Sequence, residues 1–90
     1  MNEVKADFGD GFIIIGTTDD ARIIEQENPK GFTINCTLNT DGLRKITSQM
    51  VNHNHVTLDF PYGGKRRLGE FHISNIHNDR CQLLSSGKVD

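Results

Sequence analysis

The feature that most constrains this chain is a pair of strand-like segments joined by a glycine turn, between residues 56 and 76. The first segment, VTLDF, places an apolar residue at every second position, which is typical of a strand with one buried face. Pro61 is expected to end its ladder, because proline has no N–H to donate. Gly63 and Gly64 tolerate the positive φ angles of a tight hairpin turn. The tip of the predicted hairpin carries three cations: Lys65, Arg66 and Arg67.

The first third of the chain predicts a second hairpin. Residues 4–8 alternate between apolar and polar side chains, and the turn sequence Gly9-Asp10-Gly11 follows. The segment from Phe12 to Ile15 is apolar at every position, which predicts a central strand or one covered on both faces. Residues 21–27 fit a third strand, and a helix is the alternative there.

The middle of the chain predicts a strand followed by the one clear helix. Residues 32–38 alternate strictly, with apolar side chains on one face and Thr and Asn on the other. Asn39 or Thr40 is suited to cap a helix that runs from about residue 41 to residue 51. Apolar residues recur in this helix at the spacing of a single stripe. They are Leu43, Ile46, Met50 and Val51.

The last third predicts the remainder of the sheet. The apolar positions of the second hairpin strand change from even to odd numbers beyond Leu68, and a β-bulge at Gly69 is expected to reconcile them. Residues 81–84 predict a final strand, and residues 85–90 a flexible tail. The single β-rich domain is therefore expected to span residues 1–84.

These segments together predict an α+β domain. About six short, mostly antiparallel strands form a twisted sheet or small sandwich, and the helix over residues 41–51 packs against it. A chain of 90 residues is long enough for one such domain and too short for two. The expected core consists of Phe8, Phe12, Ile14, Phe32, Ile34, Leu38, Leu43, Ile46, Met50, Val56, Leu58, Phe60, Phe71 and Ile73.

The sequence contains no candidate membrane span and no recognisable secretory leader. Its longest apolar run, from Phe12 to Ile15, is far shorter than the roughly 18 residues of a membrane helix. The acidic, polar start lacks the basic and apolar regions of a signal peptide. A cytoplasmic location is therefore expected. Since cytosolic thiols stay reduced, Cys36 and Cys81 are predicted to be free, small buried residues.

No residue pattern predicts an enzyme, a metal centre or a cofactor site. Zinc sites need three or four converging ligands, and the two cysteines each stand alone in the sequence. No nucleophile and base are placed together by their spacing. Asp59 lies on the polar face of its strand, where either Glu70 or Arg67 could stand opposite it, and a weak cross-strand ion pair with Arg67 is the expected role. The histidines are expected at the surface: His53, His55, His72 and His77.

The charges are distributed unevenly along the chain, although the net charge is only −2. Residues 1–27 contain seven acids against two bases, and residues 28–90 contain eight bases against five acids. This asymmetry favours head-to-tail contact between copies, or contact with a charged partner through one face. The alternative is that the two regions neutralise each other within the fold. The candidate acidic counterpart of the basic hairpin comprises Asp7, Asp10, Asp19 and Asp20.

One part of the chain resembles phage tail-tube and related tail proteins. The resemblance lies in the segment order: GFTINCTL from Gly31, a short helix, VTLD from Val56, a glycine hairpin, and LGEFHISNI from Leu68. It covers about half the chain. It implies a β-sandwich flanked by one helix, ring assembly through sheet augmentation, and a long hairpin that bridges neighbouring subunits.

We expect a non-enzymatic protein-interaction or assembly module, of phage structural or accessory type if the resemblance holds. Its contacts would come from the hairpin over residues 61–67 and an exposed strand edge. Tyr62 would anchor a protein partner, either a second copy or a host or virion protein, while the three basic residues supply charge. The alternatives are a nucleic-acid-binding domain that uses the same hairpin, and a phage inhibitor of a host protein.

Overall fold

The fold is an antiparallel sheet with one helix. The computed structural model describes residues 2–27, 30–52 and 55–90, without the side chains of residues 50–52 and 86–88. In chain order the elements are β1 (Glu3–Asp7), β2 (Phe12–Thr17), a 3-10 turn (Asp20–Arg22), β3 (Ile23–Glu27), β4 (Lys30–Leu38), α1 (Thr40–Asn52), β5 (His55–Tyr62), β6 (Lys65–His77) and β7 (Arg80–Val89). The α+β class is confirmed, with seven strands where about six were predicted.

The sheet closes on itself. Its strand order is β2-β1-β5-β6-β7-β4-β3, and β2 also pairs with β4, so the chain forms a small barrel with β3 at the edge of β4. The closing contact is short, because it pairs Gly16 with Leu38 and Thr17 with Thr37. A Cβ atom on Gly16 would lie 2.8 Å from the carbonyl carbon of Thr37 and 2.9 Å from Cα of Leu38. Closure therefore requires glycine at this position.

The core lies inside the barrel and contains most of the predicted residues. Eight of them are buried: Phe32, Ile34, Leu38, Ile46, Val56, Leu58, Phe60 and Phe71. Phe8, Leu43 and Ile73 are half-buried against this core. The side chain of Met50 lies outside the described part of the chain. The core also contains Cys36 and Cys81, predicted separately to be buried, and five buried residues that were not predicted: Val4, Ala6, Ile15, Ile23 and Leu83.

One of the two alternatives for β2 is confirmed: it is a central strand, paired with β1 on one side and β4 on the other, but it is not covered on both faces. Phe12 and Ile14, both expected in the core, are 45% and 43% exposed. The register against β1 shifts between Val4 and Lys5, and Ile15 then points into the barrel. Among the described residues no second layer covers the outer face at Phe12 and Ile14, so the unbroken apolar run marks a central strand and not one buried on both faces.

α1 is fixed to β2 at its first turn. Asn39 is the N-cap: its Oδ1 accepts a hydrogen bond from the Gly42 amide at 2.6 Å. The same residue reaches β2, since its Nδ2 donates to the Ile14 carbonyl at 3.0 Å and its backbone N–H to the Ile15 carbonyl at 2.8 Å. In the described part of the chain, no helix is long and apolar enough to cross a membrane.

The second half of the sheet corrects two expectations and confirms part of a third. Pro61 does not end the ladder, because it lies within β5 opposite Arg66. The irregularity predicted at Gly69 is present, but it lies on the side of β6 that pairs with β7, where a second follows Ile73; on the β5 side Gly69 pairs regularly with Leu58. Leu68 simply points outward. Residues 85–90, predicted as a tail, lie mostly within β7, which runs to Val89.

Candidate functional site

The predicted basic hairpin is present and has a two-residue turn. Tyr62 pairs with Lys65, and Gly63 and Gly64 adopt φ angles of 67° and 80°. Positive φ at both central residues is the geometry of the hairpin turn that matches the twist of the flanking strands. The hairpin prediction is therefore confirmed.

Arg66 is bound within the chain and does not extend into solvent. Its Nε donates to Oδ1 of Asp59 at 2.8 Å. Its Nη2 donates to the Asp59 carbonyl at 2.9 Å and to the Glu3 carbonyl at 2.8 Å. The predicted ion pair between Asp59 and Arg67 was wrong, since the side chain of Arg66 lies on the same outer face of the sheet as Asp59. Arg66 thus connects the hairpin to the start of β1.

Arg67 and Tyr62 contact each other. The Nε of Arg67 donates to the Tyr62 carbonyl at 3.2 Å, and its guanidinium lies 5.7 Å from the centre of the Tyr62 ring. The ring itself packs edge-on against Phe32, with 5.4 Å between centroids. Lys65 is exposed, and its side chain makes no hydrogen bond or ion pair with a described residue. Of the three cations, Lys65 is the one left entirely to solvent.

The four predicted acidic residues do not form one cluster. Asp7 binds its own turn, where its Oδ1 accepts from the amides of Gly9 and Gly11 at 2.7 and 3.1 Å. Asp10 is exposed in that same turn. Asp19 pairs with Arg22 at 3.5 Å, and its Oδ1 has no partner among the described residues. Asp20 is the member of this set that contacts the hairpin tip.

The acidic and basic regions meet within one chain at the hairpin tip. Oδ2 of Asp20 accepts a long hydrogen bond of 3.4 Å from the Gly63 amide. The Tyr62 hydroxyl donates to Oε1 of Glu25 at the same distance. These contacts place two carboxylates of the acidic region beside the basic hairpin tip, each bound to an uncharged donor.

β3 provides a strand edge beside the same tip. It pairs with β4 through Ile23 to Glu27, and its other edge is not paired with any strand that the structure describes. Ile24 is 55% exposed, and the next three residues of the strand are exposed as well. Since Glu25 of β3 contacts Tyr62, the strand edge and the hairpin tip form one continuous surface. We call it the β3 edge surface.

No family model, curated protein or solved structure matches this chain. The function therefore has to be inferred from the geometry of the β3 edge surface and of the rest of the molecule. The sequence indicated the hairpin through its glycine pair, but not the position of β3 at a sheet edge. That position depends on which strands pair, and no local pattern encodes it.

The histidines and cysteines lie apart from the β3 edge surface. Nδ1 of His55 lies 3.3 Å from Oε1 of Glu70, and the His55 and His72 rings are 5.9 Å apart between centroids. His77 is exposed at the end of β6, and His53 lies outside the described residues. Cys36 and Cys81 are free and buried, as predicted, and stand opposite each other on β4 and β7.

Replacing Arg66 with alanine is expected to lower the free energy of unfolding by about 1–2 kcal/mol. The change removes a partly exposed ion pair and two charge-assisted hydrogen bonds to backbone carbonyls. Urea unfolding followed by circular dichroism measures the effect. Lys65→Ala is the matched control and should stay within about 0.5 kcal/mol of the wild type. Equal losses in both variants would contradict a structural role for Arg66.

Proposed function

We propose that this protein is a non-enzymatic protein-binding module that takes up an extended segment of a partner along the free edge of β3. The observation that carries the proposal is the unpaired, exposed edge of β3 beside the hairpin tip. An unpaired strand presents N–H and C=O groups that an incoming strand satisfies, and its side chains supply specificity. The basic hairpin predicted from the sequence forms one side of this surface.

The charge of β3 favours a basic partner strand over a second copy of the same edge. Glu25 and Glu27 alternate along the strand with Gln26 and follow the exposed Ile24. Two copies that pair antiparallel in the register centred on Glu25 would place that carboxylate against itself, which is unfavourable. A strand of a foreign protein that carries Lys or Arg beside an apolar residue fits better.

The hairpin tip completes the surface. Tyr62 provides a half-buried aromatic wall whose hydroxyl points at Glu25, and Lys65 provides a cation beside it. A partner segment with apolar and basic residues, and an acid near Lys65, would match these groups. A phage tail or accessory role, with a virion or host protein as the partner, stays a prediction that rests on the sequence resemblance.

Binding of nucleic acid through the same hairpin has less support from the geometry. Arg66 is held by Asp59 and the Glu3 carbonyl, and the guanidinium of Arg67 lies over one face of the Tyr62 ring. A stacking platform needs a free aromatic face, and phosphate binding needs several free cations. Lys65 alone meets that description at the tip.

Selection from a displayed library of random peptides tests the proposal. We expect enriched peptides with alternating apolar and basic residues, and we expect Ile24→Lys to weaken their binding at least about tenfold, because it places a cation against a basic strand. Thr47→Lys, on an exposed position of α1, adds the same charge away from the edge and should leave binding unchanged.

Three outcomes would contradict the proposal. The first is a library that yields no peptide sensitive to Ile24→Lys. The second is a salt-sensitive oligomer, measured by light scattering after size exclusion, that Ile24→Lys does not dissociate; this would favour assembly of copies through another surface. The third is retention of single-stranded oligonucleotides that Lys65→Ala abolishes, which would favour the nucleic-acid alternative.

A further inference from the structure

A second surface, next to the 3-10 turn that precedes β3, forms a cleft of about 490 Å³. It lies over the outer faces of β4, β7 and β6 beside the 3-10 turn. Its volume falls within the range of small-molecule sites, roughly 300–1,000 Å³. None of the residues that line it is acidic. Its polar side chains come from Arg22, Asn35, Asn75, His77, Arg80 and Gln82.

A row of basic side chains crosses this cleft. Thr37 of β4 pairs with Arg80 of β7, and Arg80 pairs with His77 of β6. Arg22 extends the row, because its Nη1 donates to Oγ1 of Thr37 at 2.8 Å. Directly opposed residues on antiparallel strands have Cβ atoms about 5 Å apart. The pairing register therefore brings two guanidinium groups and an imidazole along a single line.

The row is short of negative charge. Asp19 neutralises Arg22 from one side, at 3.5 Å from its Nε, and leaves Nη2 of Arg22 without a described acceptor. The side chains of Arg80 and His77 make no hydrogen bond or ion pair with a described residue. The guanidinium groups of Arg22 and Arg80 both neighbour Thr37 and carry like charge, which is unfavourable without a counter-ion. A bound anion would relieve this arrangement.

A parallel row of amides lies beside the basic row. Asn35 pairs with Gln82, and Gln82 pairs with Asn75, across the same three strands. Asn35 is held in place, since its Nδ2 donates to the Arg22 carbonyl at 3.4 Å. Side-chain amides offer both donors and acceptors, which suit the hydroxyl or ring-nitrogen groups of a polar ligand.

We propose that this cleft binds a small ligand with a phosphate group on a polar, hydrogen-bonding body. Arg22 and Arg80 would take the phosphate, because the guanidinium fork matches phosphate oxygens in a bidentate arrangement. The amide row would contact the body of the ligand. A nucleoside phosphate and a sugar phosphate share this chemistry. The proposal is independent of the β3 edge surface, and the two are tested with different variants.

Titration of the ¹⁵N-labelled protein, followed by two-dimensional NMR, tests the cleft. The probes are inorganic phosphate, adenosine monophosphate, glucose 6-phosphate and, as the unphosphorylated comparison, adenosine. We expect saturable shifts of the amides of Asn35, Arg80 and Gln82 with at least one organic phosphate, and weaker or no shifts with adenosine. The organic phosphate with the lower dissociation constant shows whether the natural ligand is a nucleoside phosphate or a sugar phosphate.

Matched variants separate a specific site from general charge attraction. Arg80→Gln should weaken binding about tenfold or more, since a charge-assisted hydrogen bond is lost. Arg44→Gln removes the same charge from the exposed face of α1 and should leave the affinity within about twofold. Equal losses in both variants would overturn the proposal. So would the absence of saturable shifts at the cleft with every probe.

Discussion

Gly42→Ala is expected to destabilise the protein by about 3 kcal/mol or more, although alanine is the better helix former. By intrinsic propensity the change would stabilise α1 by about 1 kcal/mol. The tertiary contact decides otherwise: a Cβ atom there would lie 2.7 Å from both Cα and the carbonyl carbon of Ile15, and closer still to its oxygen. Because these are backbone atoms, no rotamer change relieves the overlap.

The helix would have to move away from β2 to accept this methyl group. That movement weakens the hydrogen bonds from Asn39 to the Ile14 and Ile15 carbonyls, which fix the first turn of α1. Urea unfolding followed by circular dichroism measures the loss. Ser48→Ala, on the exposed side of the same helix, is the control and should be neutral or slightly stabilising. A Gly42→Ala variant as stable as the wild type would disprove the close contact.

Raising the pH above 9 is expected to destabilise the protein through its two buried thiols. Burial raises the pKa of the Cys36 thiol from 9.0 to about 12, and Arg22 offsets part of that effect. Burial also raises the pKa of the Cys81 thiol to about 12, with a further contribution from Cys36 opposite it. The thiolate forms are therefore disfavoured in the folded protein.

The direction of the effect follows from proton linkage. Between pH 9 and pH 12 the unfolded chain releases its thiol protons while the folded chain retains them, so fewer protons are bound in the unfolded state. The stabilisation is complete below pH 9 and is lost as the pH rises toward 12. Each thiol contributes about 1.4 kcal/mol per pH unit in this window. At pH 10 the combined loss is about 2–3 kcal/mol.

Urea unfolding at pH 7 to 10.5 under reducing conditions measures this loss. A Cys36→Ala, Cys81→Ala double variant is the control, because it retains every other group that titrates in the alkaline range. The wild type should lose about 2–3 kcal/mol more than the double variant between pH 7 and pH 10. Parallel pH profiles for the two proteins would show that the thiols ionise as readily in the folded state as in the unfolded state.

Local patterns predicted the elements that depend on local chemistry. The glycine pair at Gly63 and Gly64 predicted the hairpin turn, and both residues adopt positive φ. Asn39 was one of two predicted caps for α1, and it fills that position. In each case the backbone conformation is set by a residue type and its neighbours in sequence, so the sequence carries the information directly.

The partners of the charged side chains could not be predicted in the same way. Arg66, not Arg67, binds Asp59. Arg66 also donates to the carbonyl of Glu3, which lies 63 residues earlier in the sequence. The basic row of the cleft joins the consecutive strands β6 and β7 to Arg22 and β4, which are distant from them in the chain. Which side chains meet depends on strand order and register, and a shift of one residue would exchange the two faces of a strand.

The amino-acid sequence alone thus predicted the fold class, the hairpins and the helix, because turn chemistry and apolar periodicity are local. Closure of the sheet through Gly16, the exposure of Phe12 and Ile14, and the free edge of β3 depended on long-range packing. An apolar run is buried only if another part of the chain covers it, and a strand has a free edge only if no other strand pairs with it. Both conditions are properties of the assembled barrel.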